Sequence, residues 1–146
     1  TAVLNNSTIR IRSTTNSVVN IGASSNVNSN DQTYIAYCFH SVDGYQKVGS
    51  YDGGTITSSN MVNLGFRPRF ILLKPTQTAN DWLIYDNVRD TSDPLQHILY
   101  PRTTGAEQVA TNDDYNLYTT DSGFYFNNTN GFINSSASDV IYLAIA

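Results

Sequence analysis

The sequence predicts an all-β protein built from many short antiparallel strands. Uncharged polar residues dominate it, with 17 Asn, 15 Ser and 16 Thr among 146 residues, and these types favour turns and compete with the helical backbone for hydrogen bonds. Good helix formers are scarce, since the chain has one Glu, two Lys and one Met. The ten Tyr and six Phe favour strands.

Alternation of apolar and polar side chains predicts a series of short strands. They span residues 8–12, 18–21, 33–39, 45–51, 61–64, 69–74, 82–85, 97–100, 115–118, 123–126, 131–134 and 139–144. Turn sequences such as Asp43-Gly44 and Asn130-Gly131 separate them. Many short strands with regular turns are typical of a β-sandwich or barrel. At most one short helix is expected, at residues 104–110.

Two continuous apolar runs, residues 34–39 and 70–73, predict strands that are covered on both faces. Cys38 lies inside the first run and is predicted to be a small buried hydrophobe. Trp82 is predicted to pack in the core, because it shares a strand face with Ile84. These side chains are therefore assigned to packing rather than to chemistry.

An internal repeat at an offset of 106 residues relates the two ends of the chain. Val27-Asn28-Ser29 followed by residues 34–39 resembles Ile133-Asn134-Ser135 followed by residues 140–145. Each copy is an Asn-Ser turn, a polar gap and an apolar strand.

Two domain organisations follow from this pattern. In the first, residues 1–146 form a single β-sandwich domain. In the second, a repeat boundary lies near residue 40, so that residues 1–40 are the closing strands of a preceding unit and residues 41–146 are the main unit. An array of such units would suit a long fibrous protein.

Charge and hydropathy exclude two classes of partner. The net charge is −4, and the eight basic residues do not form the basic stripe that phosphate backbones require, so no nucleic acid is expected. No apolar run approaches the roughly 20 residues of a membrane span, so no membrane insertion is expected. A lone cysteine cannot make a metal cluster, and the spacing of Asn112-Asp113-Asp114 and Asp121-Ser122 matches no calcium-loop motif. We therefore expect neither a metal nor another cofactor.

Four aspartates are the candidates for catalysis, since paired carboxylates can hydrolyse glycosides. They are Asp81, Asp86, Asp90 and Asp93. No glutamate accompanies them, aspartate is common in turns, and Asp86 is expected to form a salt bridge with Arg89. The sequence therefore predicts no catalytic residues and a protein that is not an enzyme.

The same region could instead bind a ligand, because binding residues concentrate on loops that a rigid sandwich positions. The candidate ligand-binding residues are Tyr85, Asp86, Asn87, Arg89 and Asp90. Tyr85 offers a flat aromatic face, and the other four offer hydrogen-bond donors and acceptors.

Three stretches of the sequence are similar to one known type of domain. They are residues 34–51 (YIAYCFHSVDGYQKVGSY), 65–74 (GFRPRFILLK) and 82–90 (WLIYDNVRD). Together with Ser122-Gly123-Phe124 and the closing strand, they resemble a repeated domain of tail-fibre and appendage proteins of tailed, marine-type bacteriophages. The resemblance implies a β-sandwich of jelly-roll or lectin-like type on the surface of the virion, an extracellular particle.

The resemblance implies a structural protein of the virion. Because low charge and abundant Asn, Ser and Thr suit weak polar contacts with glycans, our hypothesis is a module that contacts the host cell surface through a glycan or a receptor. The expected partners are other virion proteins, a host surface glycan and further copies of the same chain, most simply as a trimer. Two alternatives remain open. One is a capsid decoration protein, for which residues 1–7 could be an extended arm, and the other is a polysaccharide depolymerase.

Overall fold

The structure, a computed structural model, describes residues 11–15, 17–76, 81–128, 133–136 and 139–146. The arm expected at residues 1–7, the start of the strand expected at 8–12 and residues 131–132 lie outside this set. The chain divides into two compact units, Thr1–Cys38 and Phe39–Ala146, which are described separately. The division lies beside the repeat boundary that the sequence suggests near residue 40.

The first unit contains a hairpin and one turn of helix. Strand β1 (Ile11–Thr14) pairs antiparallel with β2 (Val19–Ile21). Helix α1 (Ser25–Asn28) follows, and the Ser24 side chain caps it by accepting a hydrogen bond from the Asn26 backbone N–H. Residues 32–40 have no regular secondary structure.

The second unit contains the remaining strands and one 3₁₀ turn, Asp113–Tyr115. The strands are β3 (Gln46–Asp52), β4 (Val62–Asn63), β5 (Phe70–Pro75), β6 (Leu83–Asp86), β7 (His97–Ile98), β8 (Gln108–Val109), β9 (Leu117–Thr120), β10 (Gly123–Phe126) and β11 (Asp139–Ile145). A four-stranded sheet has the order β3-β11-β5-β6, a three-stranded sheet has the order β4-β10-β9, and β7 pairs with β8. The strand pairings are antiparallel.

The core lies between the two larger sheets. The ring of Tyr51 on β3 packs edge-on against Phe124 on β10, with 6.1 Å between centroids. Tyr142 on β11 makes a similar contact with Phe124 at 5.8 Å. Ile71 and Leu73 alternate with half-buried neighbours on β5 and are fully enclosed. The predicted all-β antiparallel sandwich is therefore confirmed.

A buried asparagine ties the loop before β11 to the chain that follows β3. Asn134 accepts hydrogen bonds at Oδ1 from the backbone N–H of Gly54 (3.0 Å) and of Ile56 (3.4 Å). Its Nδ2 donates to the carbonyl of Ile56 (2.7 Å) and of Asn128 (3.0 Å). Because Asn134 is fully enclosed, these four bonds replace all of its contact with water.

The strand predicted at residues 33–39 was wrong. The segment has no strand pairing, and Ile35 and Tyr37 are 79% and 81% exposed. A continuous apolar strand needs partners on both edges and both faces, and the described residues provide none for it. In the second unit the central position is held by β11.

Cys38, predicted to be buried, is an exposed free thiol. We expect it to react with a thiol reagent such as DTNB in the native protein within a few-fold of its rate in denaturant, since burial is what makes structural cysteines inert. Labelling that is complete only after unfolding would contradict this placement.

Two further predictions were also wrong. Residues 104–110 form no helix, since Gln108–Val109 within them form β8 and residues 104–109 are exposed. A segment this short, with Thr104 and Gly105 at its start, is too weak to nucleate one. Trp82 is 39% exposed, because β6 turns Leu83 and Tyr85 inward. No helix in the described part of the chain is long and apolar enough to cross a membrane.

Gly123 allows β10 to approach β4 closely. A Cβ atom built on Gly123 would lie 1.9 Å from the carbonyl oxygen of Val62, which is backbone and cannot rotate away. We expect Gly123→Ala to lower the free energy of unfolding by about 2 kcal/mol, the typical cost of overpacking, as measured by urea denaturation. Gly105→Ala is the matched control, because its added methyl meets only Thr103 Oγ1 at 3.6 Å. Equal stability of the two variants would contradict the close approach.

Candidate binding cleft

A cleft of about 680 Å³ opens on the second unit, beside the first residues of β5 and the chain that follows β6. Phe66 and Leu95 give it an apolar floor, and both are buried. Polar side chains from three separate stretches line the rest. Among them are Arg67, Arg69, Asn87, Thr91, Ser92 and Asp93.

The turn after β6 is held in place by two side chains. Asp86 Oδ1 accepts hydrogen bonds from the backbone N–H of Val88 (2.9 Å) and of Arg89 (3.3 Å), which is an Asx turn. Asn87 donates from Nδ2 to the carbonyl of Pro68 (2.8 Å), and its backbone N–H donates to the carbonyl of Arg69 (3.0 Å). These bonds join the two walls of the cleft.

Asp90 organises the loop that forms the rim of the cleft. Its Oδ1 accepts from the backbone N–H (3.0 Å) and the hydroxyl of Ser92. Its Oδ2 accepts from the backbone N–H of Gln96 (2.6 Å) and of His97 (2.8 Å). The residue is buried, so the carboxylate serves the backbone of residues 92–97 and has little capacity left for a ligand.

The same hydrogen bonds control the ionisation of Asp90. Burial by itself raises the pKa of a carboxyl, because it disfavours the charged form. The bonds from the Ser92 hydroxyl and from the backbone N–H groups of His97, Ser92 and Gln96 outweigh burial and lower the pKa of Asp90 below its ordinary value. Asp90 is therefore a fixed negative charge at neutral pH.

Two arginines extend from the chain that leads into β5. Arg67 makes an exposed ion pair with Asp121 at 3.4 Å and donates to the hydroxyl of Thr119 at 3.3 Å, a pairing that contributes little to stability. The guanidinium of Arg69 has no ion-pair partner among the described residues. Arg69 is exposed, and its five N–H donors remain able to bind a ligand.

The five candidate ligand-binding residues predicted from the sequence do not all lie at the cleft. Asn87 and Asp90 line the cleft, whereas Asp86 supports the turn behind it. Tyr85 lies fully inside the core, where its hydroxyl donates to the carbonyl of Tyr115 (2.8 Å) and burial raises its pKa well above the ordinary value. Arg89 does not line the cleft.

The expected salt bridge between Asp86 and Arg89 was wrong. Arg89 instead makes an ion pair with Glu107 and donates to the carbonyl of His97 at 3.3 Å. Glu107 also approaches His97 Nδ1, at 3.4 Å. The only glutamate of the sequence therefore ties the chain before β8 to the turn after β6.

The candidate carboxylates also have different surroundings. Asp81 pairs with Arg102, whose hydrogen bond and charge lower the pKa of Asp81. Asp93 is exposed on the rim of the cleft. Across the described ranges, no three side chains of His, Cys, Asp or Glu are grouped so that they could hold a metal ion. The cleft offers hydrogen bonding by guanidinium, amide and hydroxyl groups and by the exposed carboxylate of Asp93.

Sequence reasoning missed Arg67 and Arg69. The signal was present, since Phe66-Arg67-Pro68-Arg69 alternates apolar and basic residues before the buried run of β5. Phe66 and Pro68 are buried, and the two arginines project to the opposite side. Nothing in that alternation shows that the turn after β6 would lie beside it.

Residues 1–146 match the model of one protein family, which is described as a domain of unknown function (DUF7483). The chain belongs to this family. The DUF7483 match covers both compact units, Thr1–Cys38 and Phe39–Ala146. No curated protein and no solved structure matches the chain.

Proposed function

We propose that the chain is a non-enzymatic structural module of a bacteriophage virion, in a tail fibre or appendage, and that its cleft contacts a glycan on the host cell surface. The resemblance of residues 34–51, 65–74 and 82–90 supports the virion part of the proposal. The observation that carries the binding part is the cleft of about 680 Å³, in the size range of ligand sites.

The lining of the cleft suits a hydroxyl-rich ligand. The guanidinium of Arg69 and the amide of Asn87 offer donors, and the hydroxyls of Thr91 and Ser92 lie on the same loop. The apolar floor at Phe66 gives the face of a sugar ring a surface to cover. Positive groups are balanced by Asp90 and Asp93, so the cleft favours neutral or weakly acidic glycans.

Binding of this kind is weak at each site and gains strength from multiplicity. A homotrimer within a fibre, held by other virion proteins, would present several clefts to one cell surface. Light scattering of the purified chain measures this directly, and we expect the mass of three copies.

Arg69→Gln tests the binding proposal. We expect it to weaken binding to host cells or to their isolated surface glycans about tenfold or more, because it removes charge-assisted hydrogen bonds of roughly 1.5–3 kcal/mol. Arg102→Gln is the matched control, since Arg102 is an exposed arginine that pairs with Asp81 and does not line the cleft. If both variants and the parent bind equally, the cleft is not the glycan-binding site.

Antibody labelling of intact particles tests the location. Label on tail fibres supports the proposal, whereas label over the head would favour a capsid decoration protein. Release of reducing ends from host polysaccharide would favour a depolymerase, with the exposed Asp93 as the first carboxylate to replace.

A further inference from the structure

Beside its turn, the hairpin of the first unit pairs like a hairpin of the second. At the far end the two differ, because an irregularity in β1 pairs Ile11 with Ile21, whereas Phe126 pairs with Leu117. In β1–β2, Ser13 pairs with Asn20 and Thr14 with Val19. In β9–β10, the residues 105 positions later pair in the same way, Tyr118 with Tyr125 and Thr119 with Phe124. Any two hairpins with loops of equal length share such pairs, so the pairing by itself does not relate them. It supports a repeat because its offset of 105 residues is within one residue of the offset of 106 that relates the apolar segments.

The turns that close the two hairpins are also built alike. The first reads Thr-Thr-Asn-Ser over residues 14–17 and the second reads Thr-Thr-Asp-Ser over residues 119–122. Thr15 Oγ1 accepts from the Ser17 backbone N–H at 3.4 Å. Thr120 Oγ1 accepts from the Ser122 backbone N–H at 3.3 Å.

The repeat continues with the Asn-Ser turn and the apolar strand, now at an offset of 106. In the second unit Asn134 is enclosed by the chain after β3, and β11 follows it. The equivalent Asn28 of the first unit is exposed. The apolar segment, residues 34–39, is exposed too, and it ends one residue beyond that unit. The first unit thus has the closing elements of the fold, while the described residues contain no second set of the strands that precede them.

We propose that residues 11–39 are the closing third of a second domain of this same fold, and that the apolar segment inserts as the central strand of that domain's sheet. The second unit already contains one example of this strand insertion. There β11 pairs with β3 over Asp139–Ile145 on one edge and with β5 over Val140–Ile145 on the other. The partner is therefore the β3-to-β7 portion of a preceding DUF7483-type domain.

The sizes of the side chains indicate that this partner is not identical to the second unit. In β11, Val140 is small and Tyr142 is large, and a Cβ atom on Gly49 would lie 2.6 Å from the Tyr142 hydroxyl. The apolar segment reverses the order, with Tyr34 large and Ala36 small. The space beside Gly49 therefore accommodates the Tyr142 side chain of β11. The apolar segment fits a domain whose sheet leaves room for a large side chain at the position of Tyr34 and a small one at the position of Ala36.

The test adds a second copy of residues 39–105 in front of the full 146-residue chain, so that residues 1–38 can complete the added portion. The fusion still contains one cysteine, Cys38, whose equivalent Ala144 is fully buried. Two forms are made. The native form keeps the natural segment. The matched form carries Tyr34→Val and Ala36→Tyr, which give the segment the small and large side chains of Val140 and Tyr142 and so place a tyrosine beside Gly49 of the added copy. The readout is the rate at which DTNB labels Cys38.

We expect the matched form to label at least a hundredfold more slowly than the chain alone, because buried thiols react only after local opening. The native form should show weaker protection. Adding Ile35→Pro to the matched form should restore fast labelling, since proline is excluded from a central strand. Equal labelling of the matched form and the chain alone would overturn the proposal. Protection that arises in the chain alone as its concentration rises would also overturn it, because the partner would then be an identical copy.

Discussion

Asp90→Ala is expected to lower the free energy of unfolding by about 3 kcal/mol. The substitution leaves the backbone N–H groups of Ser92, Gln96 and His97 without their acceptor in a partly buried loop, and each orphaned donor costs roughly 1–3 kcal/mol where water cannot replace the bond. Urea denaturation measures the loss. Asp93→Ala, in the same loop but exposed, is the control and should change stability by less than about 0.5 kcal/mol.

Asp90 should also make the protein sensitive to acid. Its pKa is lowered in the folded state, so it stabilises the fold above the unfolded value of about 3.9, and that contribution is lost as the pH falls through the folded pKa. Asp90→Asn should therefore flatten the stability profile below about pH 4. If the parent and Asp90→Asn lose stability equally over this range, the proposed bonding of the carboxylate is wrong.

Asn134→Ala is expected to have a comparable effect, about 3 kcal/mol. It removes two donor and two acceptor contacts of a fully buried side chain, and leaves the N–H of Gly54 and the carbonyl of Ile56 unpaired. The loop before β11 should loosen, which hydrogen exchange of the β3 and β11 amides would detect. Asn127→Ala is the control, because Asn127 is exposed on the strand side of the same loop. A loss below about 1 kcal/mol for Asn134→Ala would contradict its role.

The two substitutions separate the parts of the molecule on which the proposals depend. Asp90 shapes the rim of the cleft, so Asp90→Ala should weaken glycan binding as well as stability. Asn134 lies in the part of the fold that Asn28 repeats. Loss of stability without loss of binding in Asn134→Ala, measured below its unfolding temperature, is the expected contrast.

Much of the fold could be predicted from the sequence because it depends on neighbours along the chain. Strands β3, β5, β6, β10 and β11 begin and end within about two residues of the predicted segments. Alternation at a period of two residues reports which side chains share a face, and Asp-Gly and Asn-rich turns punctuate the strands. The all-β class follows from composition alone.

The candidate site was harder to predict, because it joins residues that are distant along the chain. The sequence nominated Tyr85 and Arg89 from their position in a polar loop. The fold instead directs Tyr85 into the core and pairs Arg89 with Glu107. It places Arg69 opposite the turn at Asn87, through a backbone bond that no local pattern encodes.

By itself the sequence determined the class of the fold, most of the strands and the repeat that relates residues 34–39 to residues 140–145. Only the tertiary structure decided which of these two similar apolar segments is buried. Both have the composition of a central strand, but burial requires hydrogen-bonding edges on both sides, and β3 and β5 supply those edges to β11. The residues of a strand determine whether it can be buried on both faces. Whether it is buried depends on the strands that pair with its two edges.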